Sequence, residues 1–261
     1  MTEIIKIKKE GEIAEVLLNR PEAFNAFHLD MIERLSGNLI ALAVDNDIRG
    51  IVISGEGKAF CAGGDLKWAT SFPHGPSVAF YELAARLHQA ILEIRRMRKP
   101  VIAAVNGIAA GAGFSLALAC DFRVMAQSAI LRQGYTSNGL CINGGGTFML
   151  PRLVGLARAL EIIAFDSPIS SEQALAWGLT TKVVENGRAL EEAVHMAREL
   201  ARCSLNSFGW SKQLLTDSFN TPFETHLERE RVGLVSCAAH PDGKEGLRAF
   251  VEKRKPEFNI G

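Results

Sequence analysis

Residues 100–121 read PVIAAVNGIAAGAGFSLALACD. The apolar run Val101–Val105 lies between a proline and an Asn-Gly pair, which is typical of a short strand buried on both faces. After a turn, a cluster of glycines at 111–113 leads into small and apolar residues that predict a buried helix over 112–119. Glycines at such a turn let the backbone approach a ligand, and the first N–H groups of a helix favour negative charge. The stretch indicates either a tight crossover in an α/β core or a site for an anion or a developing oxyanion.

A second glycine-rich segment follows another predicted strand. Ile51, Val52 and Ile53 indicate a buried strand, and residues 54–66 after it contain four glycines. We expect this segment to be a loop as far as Leu66. Two strands that each end in a glycine turn could direct two backbone N–H groups at one carbonyl oxygen.

The composition excludes several classes of function. With 261 residues and 48% hydrophobic content, the chain can bury a sizeable core as one domain with an appendage. Lys+Arg and Asp+Glu are equal at 29 each, so no net field is expected to recruit nucleic acid or a membrane. No secretory signal is expected before Ile4, and no apolar run is long enough to span a bilayer. The 5 cysteines are scattered without a CxxC pair, so we expect no metal site, no disulfide framework and a reduced, cytoplasmic protein.

The predicted elements change in character near residue 190. Before that point strands alternate with helices. Besides the elements named above, we expect two further strands at 122–124 and 181–184, and a hairpin over 3–8 and 12–18. The further helices expected are 28–44, 77–97 and one that begins with a Ser170–Gln173 capping box. Beyond it only helices are expected, over 189–202, 205–218, 222–238 and 242–252. This distribution predicts an α/β fold followed by a helical tail.

With both glycine turns in view, the chain resembles the crotonase superfamily, the enoyl-CoA hydratase/isomerase fold. The resemblance covers essentially the whole chain, and it is carried by residues 19–21, 25–26, 59–67, 100–121, 139, 144–147, 151–155, 174–179, 245–246 and 253–258. It implies a spiral of ββα units over 1–190 that holds an acyl-CoA site. It also implies a C-terminal helical region, 191–261, that assembles subunits into a homotrimer or hexamer.

The resemblance implies chemistry at a thioester. Moving a proton at Cα, or attacking the carbonyl, places negative charge on the thioester oxygen, which two aimed N–H groups stabilise in the transition state. By resemblance these donors are the backbone amides of Gly64 and Ala112. Coenzyme A is then part of the substrate, with no separate cofactor, and the residues expected along it are Ala23, Ala62, Asp65, Leu66 and Lys67. For Lys67, a phosphate contact and a solvated surface lysine are both open.

Two positions depart from the pattern of the family's hydratases. Those enzymes carry a glutamate two residues after the last glycine of the turn and a second one 20 residues later. Here these positions hold Ser115 and Tyr135. Neither hydroxyl is a general base near neutral pH, since a tyrosine titrates at about 10. Simple hydration is therefore not expected, whereas thioester binding is.

Two other residues are candidates for a catalytic role. Asn143 stands where some members of the superfamily carry an aspartate that acts as a nucleophile or a proton carrier, although asparagine can be neither. His88 lies 55 residues before it, in the register of a general-base histidine of 4-chlorobenzoyl-CoA dehalogenases. Because His88 follows Leu87 on an amphipathic helix, a purely structural role is the alternative.

These residues together predict an enzyme that processes acyl-CoA through an oxyanion or enolate. Isomerisation, hydrolysis or decarboxylation is favoured over hydration. The alternative is a catalytically silent oligomer that only binds acyl-CoA. No nucleic acid or membrane partner is expected.

Overall fold

The computed structural model of the chain describes residues 3–259. Residues 1–2 of the predicted region 1–190 and residues 260–261 of the predicted region 191–261 lie outside the described residues. The strands are β1 Ile5–Glu10, β2 Ile13–Leu18, β3 Gly50–Gly55, β4 Ala59–Cys61, β5 Val101–Val105, β6 Ile108–Ala110, β7 Phe122–Ala126, β8 Ile130–Arg132, β9 Ile169–Ser170 and β10 Lys182–Val184. The helices are α1 Leu29–Val44, α2 Leu66–Thr70, α3 Pro76–Arg96, α4 Ala112–Ala119, α5 Gly146–Val154, α6 Leu156–Phe165, α7 Ser171–Ala176, α8 Ala189–Ala201, α9 Leu205–Asp217, α10 Phe223–Ala239 and α11 Pro241–Glu252.

The larger sheet has the strand order β1-β2-β3-β5-β7-β10. Its first two strands form the expected antiparallel hairpin, and every other pair is parallel. Parallel strands that are covered on both faces read as continuous apolar runs. For this reason β5 is buried along its whole length, as the apolar run in its sequence predicts.

Helices cover the two faces of this sheet in separate hydrophobic cores. On one face α1, α3 and α4 pack against the sheet, with Leu35, Leu87 and Phe114 among the buried side chains. On the other face Ala193 and Ala197 of α8 pack against Val52, Ile102 and neighbouring residues. The predicted C-terminal region, 191–261, therefore begins inside a helix that belongs to the core of the sheet.

A second sheet, with the order β4-β6-β8-β9, was not expected from the sequence. Residues 54–66 are not a continuous loop, because β4 lies within them. The turn expected after β5 likewise contains β6, which pairs with β4 in parallel. Strands of three residues are too short to show a periodicity, and their stability comes from partners that are distant in the chain. The expectation of plain loops at both places was wrong for this reason.

The C-terminal helices stack on one another beyond the sheet. Lys212 of α9 is buried and joins them to the core, since its Nζ donates to the Ile94 carbonyl at 2.7 Å and to Asp121 at 2.7 Å. The Asp121 carboxylate also accepts from the Val101 N–H at the start of β5. Across residues 3–259, no helix combines the length and the apolar character that crossing a bilayer requires.

The other strands and helices that the sequence predicts are present in the structure. The predicted helix over 112–119 is α4, and the predicted α/β fold with C-terminal helices is confirmed. Ser170 and Gln173 form the expected capping box at the start of α7, with both reciprocal hydrogen bonds present.

The close packing of Gly113 against Cys61 gives a prediction about the stability of the protein. A Cβ on Gly113 would collide with the backbone carbonyl of Cys61, which cannot move without breaking the second sheet. Gly113→Ala should therefore destabilise the protein by about 2 kcal/mol or more in urea unfolding. Gly37→Ala is the control, because nothing lies within 4 Å of the added Cβ in the middle of α1. This variant should gain about 0.5–1 kcal/mol, and equal effects of the two substitutions would contradict the close packing at Gly113.

Candidate active site

Two glycine turns meet at one edge of the second sheet. Because β4 and β6 are parallel neighbours, the segments that follow them, 62–64 and 111–112, lie side by side. Gly63 has a φ of +101°, and a Cβ on it would lie 2.9 Å from the Ala110 carbonyl and 3.2 Å from the Ala112 nitrogen. Only a glycine permits this approach of two backbones. The two predicted N–H donors are thereby brought to the same place.

Each of these N–H groups is left available by the local hydrogen bonding. Phe27 donates to the Gly63 carbonyl at 2.7 Å and accepts from the Asp65 N–H at 2.9 Å, so the Gly64 N–H faces away from Phe27. Ala112 is the first residue of α4, where an N–H has no acceptor within the helix. Within residues 3–259, neither N–H donates to another group.

The residues expected along coenzyme A line one rim beside the Gly64 turn. Ala62 donates its N–H to the Phe24 carbonyl at 3.0 Å, which brings the 3-10 turn Pro21–Ala23 against the turn. Asp65 caps α2 through the Trp68 N–H at 3.0 Å and pairs with Arg20 at 2.7 Å. Burial opposes the ionisation of Asp65, but these two partners outweigh it and hold the pKa of the carboxyl below its usual value. Its side chain is thus occupied within the protein, whereas Leu66 and Lys67 are exposed.

Ser115 holds a loop against α4. This residue is fully buried one turn after Ala112, and its hydroxyl donates to the Asn143 carbonyl at 2.5 Å. The loop 143–146 is inserted between Leu87 of α3 and Ser115, and a Cβ on Gly144, whose φ is +63°, would lie 3.0 and 3.1 Å from these two side chains. The Ser115 hydroxyl is therefore engaged in positioning the loop.

His88 and Asn143, which are 55 residues apart, form a hydrogen bond of 2.6 Å between Nε2 and Oδ1. With the amide oxygen assigned as the acceptor, Nε2 carries the proton and Nδ1 is the basic nitrogen. His88 itself is exposed on α3, while Leu87 beside it is buried. The structure thus joins the two residues whose spacing of 55 positions the sequence singled out.

Tyr135 directs its hydroxyl into the same cluster. The oxygen is buried beside the Ser115 hydroxyl and the Asn143 backbone, and both groups interact with it and favour its ionised form, although neither contact has the geometry of a regular hydrogen bond. Burial raises the pKa of this phenol to about 12. Tyr135 therefore remains protonated at neutral pH and can donate a hydrogen bond.

The loop that carries Tyr135 is fastened by Asp166, a residue that the sequence did not suggest. Asp166 ends α6 in a left-handed conformation with φ +47°, and it is 5% exposed. Its carboxylate accepts from the Gly134 N–H at 2.8 Å and the Ser137 hydroxyl at 2.5 Å, and it pairs with Arg132 at 3.1 Å. The only signal in the sequence was an aspartate directly after an apolar helix, which is too common to single out.

The cluster therefore combines two free backbone N–H groups with an imidazole, an amide and two hydroxyls. None of the six predicted catalytic residues carries a carboxylate. Such an arrangement can hold negative charge on a carbonyl oxygen and can exchange one proton through the imidazole.

The arrangement of parallel strands with paired glycine turns and C-terminal helices defines the crotonase fold. The chain belongs to the enoyl-CoA hydratase/isomerase family, which it matches over residues 8–260. It is 35% identical over 259 residues to the 1,2-epoxyphenylacetyl-CoA isomerase of Escherichia coli (strain K12), with 99% of each chain covered. It is 33% identical to the crotonyl-CoA hydratase of Syntrophomonas wolfei, with 98% of each covered. A crystal structure of an enoyl-CoA hydratase from Polaromonas sp. JS666 superposes with a TM-score of 0.93 at 37% identity, covering 98% of this chain and 99% of that one.

A histidine next to this site gives a prediction about pH. His28 follows Phe27, and its Nδ1 accepts from the Met31 N–H at 3.2 Å as the N-cap of α1. Burial, reinforced by Arg20, lowers the pKa of the His28 imidazole. The unfolded chain, with a pKa of about 6.5, therefore takes up a proton at a higher pH than the folded protein does. The stability contributed by His28 is present above that pH and is lost as the pH falls through it.

The variant His28→Asn retains a cap that does not titrate. Between about pH 7.5 and pH 5.5, its free energy of unfolding should fall less than that of the parent protein, with a difference below the ~1 kcal/mol typical of a cap. Urea unfolding at both pH values measures this difference. Identical losses in the two proteins would show that His28 does not titrate with unfolding.

Proposed function

We propose that the protein is an acyl-CoA isomerase that works by proton transfer through an enolate. In this reaction the Cα–H bond of the thioester breaks, its electron pair moves onto the carbonyl oxygen, and the proton returns to another carbon of the acyl group. The hydrogen bond between His88 and Asn143 is the observation that carries this proposal, because it orients one imidazole through the loop that the Ser115 hydroxyl holds against α4.

The oxyanion is assigned to the backbone amides of Gly64 and Ala112. Both N–H groups lie on turns that touch each other, and neither has an acceptor within residues 3–259. A preorganised pair of donors pays no cost of reorganisation when charge develops on the thioester oxygen. This geometry supports binding of the enolate oxygen by backbone groups alone, without a side-chain donor.

The proton carrier in this proposal is Nδ1 of His88. The other ring nitrogen of His88, Nε2, is hydrogen-bonded to Asn143, and this hydrogen bond fixes the tautomer and the plane of the ring. One base can both remove a proton from Cα and deliver it elsewhere, whereas hydration needs a second group to activate water. Ser115 is assigned to hold the loop of Asn143, and Tyr135 to donate a hydrogen bond.

Isomerisation is preferred to hydration because Ser115 and Tyr135 stand where hydratases carry carboxylates. The similarity to the 1,2-epoxyphenylacetyl-CoA isomerase of Escherichia coli (strain K12) supports this preference. The similarity to the crotonyl-CoA hydratase is almost as great, so overall identity does not separate the two reactions. The preference for isomerisation rests instead on the absence of a carboxylate at positions 115 and 135.

The coenzyme A part of the substrate is assigned to the rim formed by Ala23, Ala62, Asp65, Leu66 and Lys67. This rim is continuous with the Gly64 turn, and its exposed ammonium at Lys67 suits a phosphate. No separate cofactor is proposed. The five cysteines are free thiols, which supports a reducing, cytoplasmic location.

The C-terminal helices are assigned to assembly into a homotrimer or hexamer. They expose large apolar side chains, namely Phe223, Val232, Leu234, Val235, Leu247, Phe250 and Val251. The number of large apolar side chains exposed on these helices supports a protein interface there. The alternative function, an oligomer that binds acyl-CoA without turnover, is separated from the enzyme by the measurements below.

Ala112→Pro tests the oxyanion assignment. Proline removes the N–H and is tolerated at the first position of a helix, so the fold should persist. Turnover of 3-hexenoyl-CoA should fall by about 10²–10³-fold, the loss typical of one oxyanion donor. Ala112→Gly is the matched control, because it keeps the N–H. A folded Ala112→Pro variant with unchanged kinetics would remove the assignment.

His88→Gln tests the proton carrier. In D2O the parent protein should exchange the Cα hydrogens of 3-hexenoyl-CoA and form the conjugated isomer, as followed by mass spectrometry and NMR. The variant should be slower by about 10²–10⁴-fold, while the exposed His195→Gln should match the parent. Hydration of crotonyl-CoA should be negligible in all three proteins. Binding without exchange in the parent would favour the silent oligomer, and ordinary hydration would show that another residue supplies the base.

A further inference from the structure

A cavity of about 820 Å³ lies along α3 and links His88 to an arginine near the end of the helix. His88 and Gly145 line it beside the candidate active site, and Arg95 and Phe148 line it further along. Arg95 follows His88 by about two helical turns, so both residues lie on one face of α3, roughly 10.5 Å apart along its axis. The cavity therefore joins the proposed base to a guanidinium.

Arg95 has few partners within the protein. Its side chain is partly buried, and within residues 3–259 it forms no ion pair with a carboxylate. The acceptor that its N–H groups have among the described residues is the Met149 thioether, at 3.0 Å from Nη1 to Sδ, which accepts hydrogen bonds only weakly. Because a guanidinium presents a planar fork of donors that matches a carboxylate, Arg95 is free to bind an anion.

A second guanidinium adds positive charge at this end of the cavity. The Cζ atoms of Arg152 and Arg95 lie 3.4 Å and 4.8 Å from the centroid of the same ring, that of Phe148. The buried Nε of Arg152 has no acceptor among the described residues. Burial, followed by the charge of Arg152, lowers the pKa of Arg95. A bound anion would relieve this repulsion between the two cations.

The other charged residues of the cavity do not neutralise this end. Among the described residues that line the cavity, Asp217 is the one carboxylate, and it pairs with Arg229 at 3.7 Å. Its effect on the pKa of Arg95 is smaller than the opposing effects of burial and of the neighbouring arginine. Arg96, which is exposed, adds a further positive charge to the lining. The cavity is therefore suited to a negatively charged group at its far end.

The lining near His88 and Arg95 suits a hydrocarbon chain. Ile91 and Leu92 of α3 and the ring of Phe148 provide apolar walls. An extended chain advances roughly 1.2 Å per single bond. A carboxylate about six bonds beyond the carbon at His88 would therefore come within hydrogen-bonding distance of Arg95. If that carbon is Cα, the acyl group has about eight carbons.

We propose that Arg95 binds a carboxylate at the far end of the acyl group, and that the substrates are coenzyme A thioesters of medium-length dicarboxylic acids. This inference rests on the proposed function, since it takes His88 to act on the carbon next to the thioester. Arg152 supports the subsite through its charge and its contact with Phe148. A monocarboxylic acyl group of the same length leaves Arg95 without an anion and is bound less tightly for that reason.

Calorimetric titration with two pairs of matched ligands tests this selection. Octanoyl-CoA and octanedioyl-CoA differ only at the far end of a chain that reaches Arg95, whereas butanoyl-CoA and butanedioyl-CoA are too short to reach it. The parent protein should bind octanedioyl-CoA about tenfold more tightly than octanoyl-CoA, as expected for hydrogen bonds between charged groups. The short pair should show no such preference.

Two substitutions of Arg95 assign the preference to its guanidinium. Arg95→Met should abolish the preference within the long pair and leave the affinity for octanoyl-CoA unchanged, because methionine keeps an apolar stem of similar length. Arg95→Lys should lose most of the preference, because an ammonium does not reproduce the fork of donors. Thermal midpoints establish that each variant is folded.

Arg98→Met is the matched control. Arg98 also lies over an aromatic ring, with its Cζ 5.4 Å from the centroid of Trp210, but it does not line the cavity. This variant should bind all four ligands as the parent protein does.

The outcomes separate the subsite from the proposed function. If the parent protein binds neither member of the long pair, the proposed function fails, and the subsite fails with it. If both members bind with equal affinity, or if a folded Arg95→Met variant keeps the preference, the subsite alone is wrong. An equal preference for the dicarboxylic ligand in both pairs would indicate a general attraction of negative charge, which also overturns the subsite. Should Arg95→Met not fold, an unchanged preference in Arg95→Lys would overturn it as well.

Discussion

The close approach of two backbone turns is the constraint on which the rest of the site depends. The turns after β4 and β6 touch because Gly63 and Gly113 present no side chain between them, and Cys61 is packed directly beneath Gly113. Any Cβ at this contact would separate the two strands. The same packing buries the Cys61 thiol and raises its pKa to about 12, so this cysteine is inert.

The two sheets have different structural roles. The larger sheet, buried on both faces, provides a rigid frame whose interior has little freedom to change. The smaller sheet is made of short strands and delivers the turns to its edge. Side chains from α3 and from the loops that carry Tyr135 and Asn143 then complete the cluster, so the backbone machinery and the group that moves a proton come from different elements.

The cluster avoids the cost of burying charge. A carboxylate at position 115 would be fully buried within α4, where ionisation is opposed unless a partner is supplied. In this protein the Ser115 hydroxyl donates a hydrogen bond to the Asn143 backbone carbonyl, and the Asn143 side-chain oxygen is hydrogen-bonded to His88. The carboxylates around the site instead form ion pairs that hold the loops in place, Asp65 with Arg20 and Asp166 with Arg132.

The sequence by itself determined the long elements and the places where backbone donors are presented. The apolar run 101–105 and the glycines at 111–113 are local patterns, so the strand, the turn and α4 follow from neighbouring residues alone. It did not determine β4, β6 or the role of Asp166, because short strands and a fastening carboxylate acquire meaning only from partners far along the chain. Likewise, sequence spacing placed His88 and Asn143 in a suggestive register, but only the packing of loop 143–146 between Leu87 and Ser115 brings them within 2.6 Å. A hydrogen bond between residues 55 positions apart depends on the whole fold, which no local pattern specifies.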